Sequence, residues 1–271
     1  MNNLCRLAHV RNEINAEGTT AQDSDLVLAV ERASRFAESF CHRNFHATYG
    51  ARYVQRHPRA CPSELLLPED LATLSEILVD EDGDDTYEIT LVENTDYWVE
   101  RDNDLDSNTP IVQLVLNPNG AQLSSWPTRY RAVKITGLWG YSYELESSTL
   151  TTNGAPTAAG PSVTVSSSAA SLIYPGDTIV VESEQMEVTA VSAMTIAVVR
   201  GINGTTAATH ATAKTVYIRR YPRDVERAVS ADAARYHWWA SRGMMDTGAS
   251  MREPWPMIRD SLLAFKNYEV A

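Results

Sequence analysis

The chain has 271 residues, 44% of them hydrophobic, enough for one large domain or two modest ones and too apolar for generic disorder. Its longest uncharged apolar run, Val191–Val199, is far short of the roughly 20 residues that cross a bilayer, and no apolar stretch follows Arg6, His9 and Arg11, so neither a membrane span nor a secretory signal is expected. Three cysteines (Cys5, Cys41, Cys61) cannot make a disulfide framework and point to a reducing compartment.

The net charge of −12 is not spread evenly. Glu76–Asp106 holds thirteen acidic residues and one basic residue, Arg101; outside it 22 acidic residues balance 22 basic ones. Such a stretch repels phosphate, because affinity for DNA comes from Lys and Arg displacing counterions. This argues against a general nucleic-acid binder and is compatible with a surface that lies near DNA without gripping it. Only three of the 23 basic residues are lysine, which favours planar, bidentate contacts.

Residues 1–22 read as an irregular or weakly helical arm. Asp23 and Ser24 then cap a helix with Leu26, Ala29, Val30, Ala33, Ala37 and Phe40 on one stripe, ending near His42. From 46 to 140 the pattern changes to strands: Thr48–Val54, Glu64–Leu67, Leu74–Asp80, Tyr87–Leu91, Tyr97–Glu100, Ile111–Leu116 and Val133–Trp139, a meander or small open barrel. Residues 147–217 hold only six charged residues. Ser147–Pro161 reads as a flexible linker, and Val163–Val165, Thr178–Val181, Met186–Val191, Thr195–Val199 and Thr215–Ile218 as five short strands. Pro222, Asp224 and Glu226 open a further helix with Val225, Val229, Ala233, Tyr236 and Ala240 on one face. A hinge, Met244–Glu253, precedes a last helix, Pro254–Tyr268.

The expected fold class is therefore α+β: a helical core with a β-rich middle section, plus an inserted small all-β module. The expected divisions are an arm at 1–22, a discontinuous domain at 23–146 and 218–271, and the insertion at 147–217.

Several short motifs suggest chemistry and fall short of it. Asp246-Thr247-Gly248-Ala249-Ser250 matches the aspartic-protease signature, but it follows no apolar strand and reads as a hinge loop. Asp80-Glu81-Asp82-Gly83-Asp84-Asp85, with Glu88, resembles a calcium loop, yet the EF-hand places Gly where Asp85 stands and Glu where Leu91 stands. Cys41, His42, His46, His57 and Cys61 lack the paired short spacings of zinc sites. Arg200-Gly201-Ile202-Asn203-Gly204-Thr205-Thr206 has no phosphate-loop lysine and reads as a hairpin turn. No catalytic residue, metal site or cofactor is expected, and the chain is read as a non-enzyme. The largest apolar features near the C-terminus, Trp238, Trp239, Trp255, Ile258, Leu262 and Phe265, are candidates for docking on a neighbour, because aromatic anchors dominate interfaces.

One combination of ordinary residues resembles a known family. The early helix closes in Phe40-Cys41-His42-Arg43-Asn44-Phe45. Leu65-Leu66-Leu67-Pro68, the Asp82-Gly83-Asp84 turn, Asp96-Tyr97-Trp98, Trp126-Pro127 and Val133–Tyr141 follow, and Pro222–Arg242 closes the pattern. Over about 23–145 and 219–268 the chain resembles the head-to-tail connector (adaptor) proteins of tailed bacteriophages; residues 147–217 depart from that pattern. The resemblance implies a structural virion protein at the neck, made in the host cytoplasm. It further implies a homo-oligomeric ring, commonly a dodecamer, bound beneath the portal protein and extending the DNA channel. The next neck or tail-completion protein would lie below, with genomic DNA passing through untethered and no membrane partner. The docking residues above would engage the portal or a neighbour, and Asp80, Asp82, Asp84 and Asp85 would form an acidic channel surface. The rival expectation is a calcium- or carbohydrate-binding β protein of the virion surface.

Overall fold

The computed structural model describes residues 2–15, 23–103, 108–120, 122–241 and 256–267. They form two compact units: Met1–Arg43 with Glu144–Ala271, and Asn44–Tyr143.

The second of these contains a single antiparallel sheet of six strands: β1 (Thr48–Val54), β2 (Glu64–Val79), β3 (Ile89–Leu91), β4 (Tyr97–Arg101), β5 (Ile111–Leu116) and β6 (Val133–Trp139). They run in the order β1-β6-β2-β5-β4, with β3 beside the end of β2. No helix of the described residues belongs to this unit, so the sheet has to bend around its own core. Val54 on one edge strand and Tyr97 on the other join one buried cluster with Leu65, Ile77, Leu114 and Ile135. Two tryptophans complete it with their indole N–H groups satisfied: Trp126 donates to the Ser63 carbonyl at 2.9 Å and Trp139 to that of Gly50 at 3.0 Å. At Gly137 the strands approach so closely that a Cβ would stand 2.3 Å from the Thr73 carbonyl oxygen.

The strand expected at Glu64–Leu67 and the one at Leu74–Asp80 are two ends of the same strand. Pro68 has no N–H for the ladder, and the pairing with β5 slips between Leu66 and Leu71, so the local pattern breaks while the strand continues.

The other unit joins four helices to a second six-stranded antiparallel sheet. The helices are α1 (Leu7–Glu13), α2 (Asp23–Cys41), α3 (Arg223–Ser241) and α4 (Pro256–Leu263). The strands are β7 (Glu144–Thr151), β8 (Ser162–Thr164), β9 (Thr178–Val181), β10 (Glu184–Ser192), β11 (Thr195–Val199) and β12 (Thr215–Arg220), in the order β7-β12-β9-β10-β11-β8. This sheet closes on itself. Thr152, just past β7, bridges Val165, just past β8; Asn153 N–H donates to the Thr164 carbonyl and Ser166 N–H to that of Thr151, both at 2.8 Å. The result is a six-stranded barrel filled by Leu150, Val163, Ile179, Met186, Ile196 and Val216, all at most 1% exposed. The α2 stripe of Leu26, Ala29, Val30, Ala33 and Ala37 is buried as its spacing requires, and α2 packs on α3.

The α+β expectation with a helical core is corrected. The molecule is mostly β: two six-stranded antiparallel sheets, with only four short helices among the described residues. The helical stripes at 23–41 and 223–241 are real, but the strands supply more of the buried hydrophobic side chains than the helices do. A strand replaces part of the expected linker. Ser147–Thr151 belongs to β7, where β-branched Thr151 and the buried Leu150 suit a barrel strand. No described helix is long and apolar enough to cross a membrane.

Candidate functional surfaces

Residues 80–88 connect β2 to β3 in a turn organised from within. Buried Asp80 accepts hydrogen bonds from Gly83 N–H at 2.6 Å and Asp85 N–H at 3.1 Å, and Arg129 Nη2 lies 2.8 Å from its Oδ1. Arg129 also donates to the Asp80 and Glu81 carbonyls. Asp82 accepts from Asp84 N–H, Asp84 from Thr86 N–H and Glu88 from Glu81 N–H. The Thr86 hydrogen bonds lower the pKa of Asp84. Gly83 at φ +95° turns the chain, leaving its hydrogen towards the Arg129 guanidinium where a Cβ would lie 2.9 Å from Nη1. Carboxylate oxygens of Asp80, Asp82, Asp84 and Glu88 come within 4.8 Å of one another. Glu81, Asp82, Asp84, Asp85 and Glu88 are exposed, so the turn presents an anionic tip above one neutralised, buried aspartate.

Of the expected acidic surface, Asp82, Asp84 and Asp85 face solvent and Asp80 does not. Arg129, the residue that fixes Asp80, lies 49 positions away and carries no local sequence signal. The zinc-type residues Cys41, His42, His46, His57 and Cys61 form no cluster of three or more; the acidic quartet is the sole such group among the described residues. Burial pushes the Cys41 thiol up to about 12, against the opposing pull of Arg43 and Lys266. The protease-like Asp246-Thr247-Gly248 lies outside the described residues, as does Trp255.

The expected docking residues separate into distinct environments. Trp238 on α3 is 44% exposed; the side chain of Trp239 lies outside the described residues. Ile258 and Leu262 on α4 are 2% and 1% exposed, buried within their own unit. The Leu262 carbonyl accepts from Cys41 Sγ at 3.5 Å, Asn267 N–H donates to the Cys41 carbonyl at 2.8 Å, and Lys266 lies over the Phe40 ring. Phe265 is half-buried. The α4 helix is therefore seated on its own α2 and α3, and among the described members of the set Trp238 is the most exposed.

The segment expected as a plain hairpin turn, 200–206, is held by a buried polar network. Glu184, on the first residue of β10, accepts from Arg200 Nε and Nη2, from Gly201 N–H and from Ala208 N–H. His210 lies between Glu184 and Glu182, with each ring nitrogen 2.8 Å from a carboxylate oxygen. Arg200 also donates to the Thr157, Gly160 and Ala208 carbonyls. Every group here is satisfied by its own chain, which is how a barrel fixes a long loop rather than how a site awaits a ligand.

No family model, no curated protein and no solved structure matches this chain.

Proposed function

We propose that this chain is a non-enzymatic structural subunit of a tailed-bacteriophage head-to-tail connector. Copies form a ring beneath the portal at the neck of the virion, extend the DNA channel and present a platform to the next neck or tail component. The observation that carries the reading is the exposed anionic tip at 81–88, where five exposed carboxylates outnumber the nearby cations: Arg129 is tied to Asp80 below it and Arg131 lies over the Tyr53 ring. A lumen lined with such tips repels phosphate, so DNA slides past without adhering. The pattern of residues over 23–145 and 219–268 supports the family, and exposed Trp238 supplies an aromatic anchor for the portal or a neighbour.

Electron microscopy of the purified protein and of virions tests this. Closed rings, and density for the chain along the DNA exit path, are expected. A virion with the chain nowhere at the neck refutes the reading.

A further inference from the structure

The two sheets end differently. The barrel of β7–β12 closes through the Thr152–Val165 bridge, whereas the sheet of β1–β6 ends on β1 at one side and on β4 at the other, where Glu93 bridges Tyr97 and Asn94 N–H donates to the Tyr97 carbonyl, leaving 98–101 as the open stretch. An open edge presents unpaired backbone donors and acceptors, and proteins that stay apart blunt such edges with lysine, proline or a bulge. β1, Thr-Tyr-Gly-Ala-Arg-Tyr-Val, has no proline or lysine and pairs with β6 without a register shift over all seven residues; β4 has no proline or lysine either, and its pairing with β5 shifts only at its end, between Glu100 and Arg101.

The two edges are complementary. Residues 48–59 carry Arg52, Arg56, His57 and Arg59 and no acid; residues 92–102 carry Glu93, Asp96, Glu100 and Asp102 against Arg101 alone. The side chains agree as well. Val54 on β1 and Tyr97 on β4 face the core, so Tyr49, Ala51 and Tyr53 share the opposite face of the sheet with Trp98 and Glu100. Tyr49, Tyr53 and Trp98 are 41% to 45% exposed. Joined edge to edge, these aromatic rings become cross-strand neighbours.

We infer that β1 of one copy adds to β4 of the next, making one continuous sheet around the assembly. Four successive antiparallel pairings separate β1 from β4, so the two strands run in the same sense. Rotation about an axis along the strands preserves that sense, and the junction is therefore parallel and heterologous, the kind that generates rings. Two-fold pairing of β1 with β1 would instead join two segments whose charges are all basic. The occupant of each edge is a second copy of this chain, and this rests on the ring reading above.

Cysteine cross-linking of the full chain in a Cys61→Ser background tests the junction. Ala51→Cys combined with Trp98→Cys, or with Glu100→Cys, is expected to give a covalent ladder of oligomers on mild oxidation, and each single variant none. Dimers from Ala51→Cys alone show two-fold pairing and overturn the inference. Rings in the microscope without a ladder from either double variant overturn it too, while leaving the ring reading intact. A ladder from a chain absent from the virion neck has the opposite meaning: edge pairing stands and the connector reading falls. Independently, Tyr53→Glu is expected to raise the concentration needed for assembly at least tenfold and Tyr53→Phe to leave it unchanged; equal assembly by both variants refutes β1 as an interface.

Discussion

Arg200 meets Glu184 side-on inside the barrel unit, its Nε and Nη2 each 2.7 Å from a different carboxylate oxygen. Both side chains are nearly inaccessible, at 7% and 1% exposure. Burial pushes the Glu184 pKa up, but Arg200, the Ala208 N–H and His210 outweigh it and hold it at about 2. Truncating one partner leaves the other charge buried without compensation, which costs about 3–5 kcal/mol. Arg200→Ala is therefore expected to lower the urea midpoint sharply. Glu184→Leu combined with Arg200→Met is expected to recover part of the loss, since neither charge is then stranded. Because the folded pKa is depressed, this pair's contribution is present above about pH 4.5 and fades as pH falls towards 2.

Asp177 has the opposite sign. Burial raises its pKa to about 6, against the lowering pull of Arg6 at 3.3 Å and the Tyr174 N–H at 3.0 Å. The folded protein thus binds this proton more tightly than the unfolded chain does. The stability linked to it is fully present below the ordinary aspartate value of 3.8 and lost as pH rises through 6. The difference in unfolding free energy between wild type and Asp177→Asn should shift against the wild type by about 2 kcal/mol between pH 4 and pH 7. Equal pH profiles for the two proteins would refute the assignment.

Much of this was readable in the chain, for physical reasons that differ from place to place. The α2 stripe and the β6, β9 and β11 strands follow from periodicity, because each buries one continuous face or one full core run, whereas β1 and β5 were legible from their β-branched and aromatic residues between turn signals. β2 was legible only as two pieces, since Pro68 interrupts the ladder without ending the strand. β7 was hidden because its serines and threonines look like linker composition, and barrel closure at Thr152 and Val165 is a tertiary fact. The acidic turn was legible from composition, yet the role of Asp80 was not, because it is decided by Arg129 from another segment. Ile258 and Leu262 show the reverse limit: an apolar stripe does not say whether its partner is another chain or its own.

That last ambiguity sets a clean comparison. Leu262→Ala empties a site that is 1% exposed and is expected to cost about 2–5 kcal/mol of stability. Trp238→Ala, at a position 44% exposed, should change stability by less than about 1 kcal/mol and act on assembly instead. Thermal unfolding and sedimentation of the two variants separate the effects. A Trp238→Ala protein that assembles like the wild type removes Trp238 as an anchor.

Gly137 offers a test of the bent sheet. An added Cβ would stand 2.3 Å from the Thr73 carbonyl oxygen and 2.9 Å from Leu71 Cδ1, inside the β2–β6 pairing. Gly137→Ala is expected to cost about 3 kcal/mol or to prevent folding of this unit, as overpacking against backbone does. Gly154→Ala is the control: it meets nothing within 4 Å and pays only for its φ of +87°, about 1 kcal/mol. Comparable losses from the two substitutions would contradict the close approach.

The calcium reading of the acidic turn depends on Arg129, the cation already seated against Asp80. Four carboxylates converge within 4.8 Å, but each already accepts an N–H from the turn itself, and Arg129 Nη2 is 2.8 Å from Asp80 Oδ1. A divalent cation there would have to face the guanidinium and compete with it for Asp80, both of whose oxygens are already engaged. Calorimetry is therefore expected to show no saturable Ca²⁺ binding at micromolar concentrations in the wild type. Arg129→Ala removes the competing cation and strands the buried Asp80 carboxylate, so that variant should be less stable than the wild type and regain stability as millimolar Ca²⁺ is added. Micromolar binding by the wild type that disappears in Asp82→Ala would instead make the turn a calcium site and the charge argument for a DNA-repelling surface would fail with it, because the bound ion would neutralise the tip.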